Sequence, residues 1–169
     1  LKFGSYKLKS GRVSPYYFNL GLFNNGENLY KLASFYAHDI IKHNIDFDVL
    51  FGPAYKGIIL STVICSILFK TYGKKVSFCF NRKEIKKYGE SDLLVGADIR
   101  EKKILIIDDV IAAGVAINDS IDILKSYNAK IVGAIVALDR QEKAENSTLS
   151  AIQTIENTYK FPVFAIATL

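Results

Sequence analysis

Cysteine, histidine and arginine are scarce in this chain, and each scarcity narrows the chemistry available to it. The two cysteines, Cys65 and Cys79, both lie in apolar settings. No disulfide framework can be built from them, and they read as buried free thiols of a protein in a reducing cytoplasm. The two histidines, His38 and His43, are five residues apart on one expected helix, which misses the i, i+4 geometry of a metal-binding pair, so they read as surface residues. No apolar run reaches the roughly 18 residues of a membrane span, and the most apolar stretch, Gly57 to Phe69, reads as a buried helix. No signal or transit peptide, internal repeat or low-complexity tract is visible. The chain starts without methionine and ends on the strand-like PVFAIATL, so residues of a longer protein are expected to be missing at both termini. With four arginines only, the net charge of +5 comes mainly from scattered lysines, a distribution that suits a small anionic ligand better than nucleic acid.

What is present is one core. The chain has 169 residues, half of them hydrophobic, and residues 1–169 are read as a single domain. The opening KFGSYKLKSGRVSPYYFNL alternates weakly and turns at Ser10-Gly11, which predicts a small hairpin hood. After Asn25-Gly26, the stripe Leu29, Leu32, Tyr36, Ile40 and Ile41 predicts a helix. Strand 49–51, helix 57–69 and strand 76–80 follow. Residues 81–97 are polar and glycine-punctuated and read as a long loop, a feature that in compact domains tends to be functional. Strand 103–107, helix 115–127, strand 131–138, a helix around 149–159 and strand 162–168 complete the pattern. Alternation of this kind predicts an α/β fold, a central mainly parallel sheet flanked by helices.

Three segments carry chemistry. In KILIIDDVIAAGVAI, residues 103 to 117, a doubly apolar run of the parallel-sheet type stops at Asp108 and Asp109. Ligands of open α/β sheets bind outside the carboxyl ends of the strands, and the small residues up to Gly114 let backbone amides and a helix N-terminus close around an anion. Carboxylates suit sugar hydroxyls or a metal, amides suit a phosphate; a helix cap beside a turn acid is the plainer alternative. FGPAYKG, residues 51 to 57, follows another buried strand and should open on the same edge. Its Lys56 sits at a helix start, where a cation is unfavourable until an anionic ligand removes the conflict; a solvated lysine on an ordinary turn is the competing reading. The dense cationic cluster Arg82, Lys83, Lys86 and Lys87 lies in the 81–97 stretch.

The acid-pair segment resembles the ribose-phosphate loop of type I phosphoribosyltransferases, and FGPAYKG resembles their pyrophosphate loop. NRKEIKKYGE at 81–90, with KSGRVSPYYFN, GLFN and ALDRQE at 137–142, is similar over nearly the whole chain to bacterial-type orotate phosphoribosyltransferases. The resemblance implies a type I phosphoribosyltransferase fold and transfer of ribose 5-phosphate from phosphoribosyl pyrophosphate, with Mg²⁺, to orotate in pyrimidine (UMP) synthesis. It implies that Tyr55, Lys56, Arg82, Lys83, Lys86, Tyr88, Asp108 and Asp109 meet the donor, with Lys86 and the two acids closest to the chemistry. Val110, Ile111, Ala112, Ala113, Gly114, Val115 and Ala116 match the phosphate loop, and Lys9, Tyr17, Phe18, Ala112 and Arg140 match the orotate site. The metal is expected to be held mainly through the donor, without a firm protein ligand. A cytoplasmic homodimer with shared active sites is implied, and no nucleic-acid or membrane partner.

The residue types fit such a reaction independently. A cationic, oxocarbenium-like sugar asks for carboxylates and a polyanionic leaving group asks for cations. A planar anionic pyrimidine suits an aromatic face and a guanidinium, although strand packing for Tyr16-Tyr17-Phe18 and pairing of Arg140 with Glu142 compete. Tyr88 stands where the family has histidine, and Ala112 and Val115 where it has threonines. A purine-using transferase, a nucleotide-sensing regulator on the same fold and, more remotely, a phosphoacceptor domain remain as alternatives.

Overall fold

The computed structural model describes residues 1–7, 11, 13–84, 92–111, 115–143 and 147–169, with the backbone alone at Val115 and Ala116. Two antiparallel strands, β1 (Lys2–Lys7) and β2 (Val13–Tyr17), form the expected hood. A turn of 3₁₀ helix at Leu20–Leu22 leads to α1 (Gly26–Lys42), which starts where Asn25 accepts the Asn28 N–H at 2.9 Å, a side-chain cap for a free amide of the first turn. The remaining elements are β3 (Val49–Phe51), α2 (Lys56–Tyr72), β4 (Ser77–Asn81), β5 (Leu94–Gly96), β6 (Lys103–Ile111), α3 (Val115–Ser126), β7 (Lys130–Asp139), α4 (Ala151–Tyr159) and β8 (Val163–Thr168).

The main sheet has the order β5-β4-β3-β6-β7-β8. All its neighbours are parallel except the β4–β5 pair at one edge. Alternation along the central strand divides the core. Leu105 and Ile107 face the layer of α1 and α2, with Tyr36, Ile40, Leu60 and Ile64. Ile104 and Ile106 face α3 and α4, with Ile117, Ile121, Leu124 and Ile155. From β3 the chain winds to β4 on one side, and from β6 to β7 and β8 on the other, so the winding reverses between β3 and β6. That is the position at which sheets of this kind open a ligand crevice.

Several expectations are corrected. The 81–97 stretch contains β5, because Leu94 to Gly96 finds an open edge on β4. The helix starting near residue 57 is not buried all round: it runs to Tyr72, and Ile59, Phe69 and Tyr72 are exposed. Ile41, at the edge of the α1 stripe, is also exposed, and Cys65 is half-buried. His38 and His43 are exposed, as expected. Strand β6 continues through both acids to Ile111, since β-branched Val110 and Ile111 favour extended backbone and β7 is long enough to pair with them, Val110 with Leu138 and Ile111 with Asp139.

Candidate active site

Four strands deliver polar side chains to one edge. β3 leads into Gly52-Pro53-Ala54-Tyr55 and Lys56, β4 ends on Asn81, β6 carries Asp108 and Asp109, and β7 leads into Arg140. Lys56 Nζ lies 2.5 Å from Asp109 Oδ2, bridging the point where the winding reverses. Its unfavourable place at the start of α2 is therefore already compensated inside the chain, where the sequence pointed to a ligand.

Close packing makes this bridge possible. A Cβ on Gly57 would stand 2.7 Å from the carbonyl oxygen of Ile107 and 2.6 Å from Pro53 Cδ, and one on Gly52 would stand 2.1 Å from the Gly57 carbonyl oxygen. Glycine alone lets the first turn of α2 lie on β6. The loop is fastened on its other side by the Ala54 N–H, which donates to Asn81 Oδ1 at 3.1 Å. The exposed ring of Tyr55 lies under Lys83 Nζ, 4.5 Å from the ring centroid. Arg82 is committed to the neck of its segment, donating from Nη1 to the Asp92 carbonyl at 2.8 Å.

The two acids are both buried, at 7 % and 9 % exposure, and as neighbours on a strand they project to opposite faces. Burial, then the charge of Asp109, pushes the Asp108 carboxyl up to about 7. Asp108 Oδ1 accepts the Asp109 N–H at 2.8 Å. Tyr36, fully buried on α1, donates its hydroxyl to the Asp108 carbonyl at 2.7 Å, which ties the helix layer to the acid-bearing end of β6. Burial first, then the two carboxylates, raises the Tyr36 hydroxyl well above its ordinary value, so it stays a donor.

The hood closes the other side. Arg140 Nη2 donates to Ser14 Oγ at 2.8 Å and Glu142 Oε1 at 2.6 Å, and Tyr16 covers the guanidinium. Tyr17, one residue further along β2, turns the other way and packs on Tyr6. Phe18 packs on Phe23 beside the core. Thus the hood aromatic that lies against Arg140 among the described residues is Tyr16. Lys9, Lys86, Tyr88, Ala112, Ala113 and Gly114 lie outside the described residues, as do the side chains of Val115 and Ala116. Val110 and Ile111 belong to the β6 ladder, so any loop closing on a phosphate begins after them. Sequence reasoning missed Ser14, Tyr16, Tyr36 and Asn81. Asn81 was within reach of the rule that found the acids, a polar residue ending an apolar strand; Ser14 and Tyr16 needed the phase of β2.

Among the described residues no cluster of three or more His, Cys, Asp or Glu side chains is arranged to hold a metal, and no helix is long and apolar enough to cross a membrane.

Residues 21–168 match the family model of the phosphoribosyl transferase domain. An orotate phosphoribosyltransferase of Kluyveromyces lactis is 50 % identical over 175 residues, spanning 100 % of this chain and 77 % of the relative. One from Photobacterium profundum is 50 % identical over 169 residues, spanning 100 % of this chain and 78 % of the relative. A crystal structure of orotate phosphoribosyltransferase from Francisella tularensis superposes with a TM-score of 0.86 at 47 % identity, covering 99 % of this chain and 79 % of that one.

Proposed function

The chain belongs to the orotate phosphoribosyltransferases, within the phosphoribosyl transferase domain family, and on that premise we propose the roles of its residues in moving ribose 5-phosphate from phosphoribosyl pyrophosphate to orotate. The purine-using, sensor and phosphoacceptor alternatives fall away with that membership. The products are orotidine 5′-monophosphate and pyrophosphate.

The observation that carries the assignment of roles is the Lys56–Asp109 bridge across the reversal of winding. It joins the two side-chain types that the reaction separates. When the donor enters, its pyrophosphate takes over Lys56, with Tyr55, Arg82, Lys83, Lys86 and Tyr88 completing the surroundings of the leaving group. Asp109, released from Lys56, and Asp108 accept the ribose hydroxyls and stabilise positive charge developing on the sugar. Residues 112 to 116, which follow the β6 ladder, enclose the 5′-phosphate with backbone amides. Lys9, Tyr17, Phe18, Ala112 and Arg140 hold orotate so that its ring nitrogen faces the anomeric carbon. As the bond from that carbon to the pyrophosphate oxygen breaks, the nitrogen supplies the pair for the new one, and the proton it carried ends on the departing pyrophosphate.

Mg²⁺ would be held mainly through oxygens of the donor and water, with no firm protein ligand. When bound it neutralises pyrophosphate charge. The free thiols of Cys65 and Cys79 support a cytoplasmic location. The exposed apolar side chains of α2, Ile59 and Phe69, support a homodimer, in which the 82–90 segment of one chain completes the site of the other.

Two measurements test this. Orotate consumption should require phosphoribosyl pyrophosphate and Mg²⁺, and absence of turnover by folded protein would sink the proposal. Mixing Lys86→Ala with Asp109→Asn subunits should restore activity, because each heterodimer then has one intact composite site. No restoration after verified subunit exchange would refute the sharing.

A further inference from the structure

Arg140 leaves the carboxyl end of β7 inside a polar cluster built from the hood and its own loop. Its side chain is 5 % exposed and that of Glu142 is 18 % exposed. Nη2 carries both hydrogen bonds, to Ser14 Oγ and to Glu142 Oε1. The Tyr16 ring lies 4.7 Å from the guanidinium carbon, and its hydroxyl donates to the Arg140 carbonyl at 3.0 Å. Among the described residues, Arg140 Nε and Glu142 Oε2 are buried without hydrogen-bond partners.

As a stabilising device this arrangement is poor. A buried ion pair roughly offsets its own desolvation, and each unpartnered polar atom adds a penalty. As an electrostatic device for an anion it is also poor, since Glu142 cancels the charge of Arg140. It is effective at something else. A guanidinium recognises a carboxylate through the plane of its donor fork, and here one nitrogen is tethered twice while an aromatic ring lies against the group.

We propose that Glu142, with Ser14, is a positioning residue for acceptor recognition: it fixes the plane of the Arg140 guanidinium against Tyr16, and thereby sets affinity for the carboxylate-bearing pyrimidine without setting affinity for the donor. The inference rests on Arg140 meeting orotate, as proposed above. It separates Glu142 from two simpler roles. A carboxylate that merely opposed an anionic ligand would weaken orotate binding, so its removal would strengthen it. A packing residue would, on removal, disturb both substrates together.

The test is steady-state kinetics of the full chain with each substrate varied, for wild type, Glu142→Ala, Glu142→Gln and Ser14→Ala, beside thermal melts. Glu142→Ala should raise KM for orotate by about tenfold or more, with KM for the donor and kcat at saturating orotate moving by less than about threefold, the pattern of lost ground-state binding. Glu142→Gln keeps an oxygen acceptor for Nη2 and should recover most of the loss. Ser14→Ala removes the other acceptor of the same nitrogen and should raise KM for orotate in the same direction, which keeps the test decisive if Glu142→Ala does not fold. An orotate KM unchanged or lowered in the folded variants, or a parallel rise for both substrates, overturns the positioning role while leaving the reaction standing. A wild-type chain inactive on orotate overturns both.

Discussion

Replacing Asp108 with asparagine should make the protein more stable and less active, and the gain in stability should grow with pH. Burial and the adjacent Asp109 raise the Asp108 carboxyl from 3.8 to about 7. Between those values the native state keeps a proton that the unfolded chain has released. The native state therefore binds more protons in this window, so wild-type stability falls as pH rises from about 4 to about 7 and the penalty then stays constant. At 1.36 kcal/mol per tenfold, a rise from 3.8 to about 7 sets a ceiling of about 4 kcal/mol. Asparagine is neutral throughout and keeps an Oδ1 able to accept the Asp109 N–H, at 2.8 Å in the wild type.

The stability gap between variant and wild type should thus be about 2 to 3 kcal/mol wider at pH 8 than at pH 5, at the ceiling. Urea denaturation of both proteins at the two pH values measures it, since groups that titrate identically in both cancel in the difference. Turnover should fall on the order of tenfold to a thousandfold, the usual consequence of removing a stabilising charge at a reaction centre. A gap independent of pH, or a variant less stable than wild type at pH 8, would refute the idea that an ionised Asp108 strains the fold.

Tyr36→Phe removes the buried hydroxyl on the Asp108 carbonyl and should lower unfolding free energy by about 1 to 3 kcal/mol in urea titrations; no loss would mean that the bond contributes nothing net. Gly57→Ala places a methyl group against the Ile107 carbonyl and Pro53 and should destabilise by roughly 1 to 3 kcal/mol. It should also raise KM for the donor by moving Lys56 off β6, so an unchanged donor KM would count against that dependence. Ala112→Thr with Val115→Thr should lower KM for phosphoribosyl pyrophosphate by about tenfold if one hydroxyl bonds the phosphate, and an unchanged KM would mean that backbone amides already saturate it.

The sheet and its helices were legible because their signals are local. Runs such as Ile104 to Ile107 have two apolar faces, and the α1 stripe has a helical period. The acid pair was legible because charge at the end of such a run has no place in packing. β5 was not legible: Leu94 to Gly96 is three residues long and becomes a strand only because β4 leaves an edge open. The exposed face of α2 was hidden for a related reason. A helix apolar on all sides reads as buried whether its second face meets its own chain or something else, and Ile59 and Phe69 stay exposed among the described residues. The Tyr16 contact depended on the phase of β2, which a weakly alternating VSPYY does not announce.

The Lys56–Asp109 bridge was beyond sequence reading because it joins residues 53 apart, each of which looked ready for a ligand alone. Paired, they suit a reaction that pulls its substrate apart into charges. An acid pair held without a cation would repel the donor's phosphates, and a lysine held without an acid would oppose the start of α2. Holding them together at the sheet's point of reversal gives each an opposite charge as neighbour before the donor arrives. On the proposed roles, the donor then separates them by supplying to each the opposite charge, pyrophosphate to Lys56 and the electron-poor sugar to Asp109. On those roles, substrate binding requires exchange of partners and not creation of new buried charge. The neighbouring Asp108 makes no ion pair among the described residues and carries a penalty of burial, which is why its substitution is the sharper measurement.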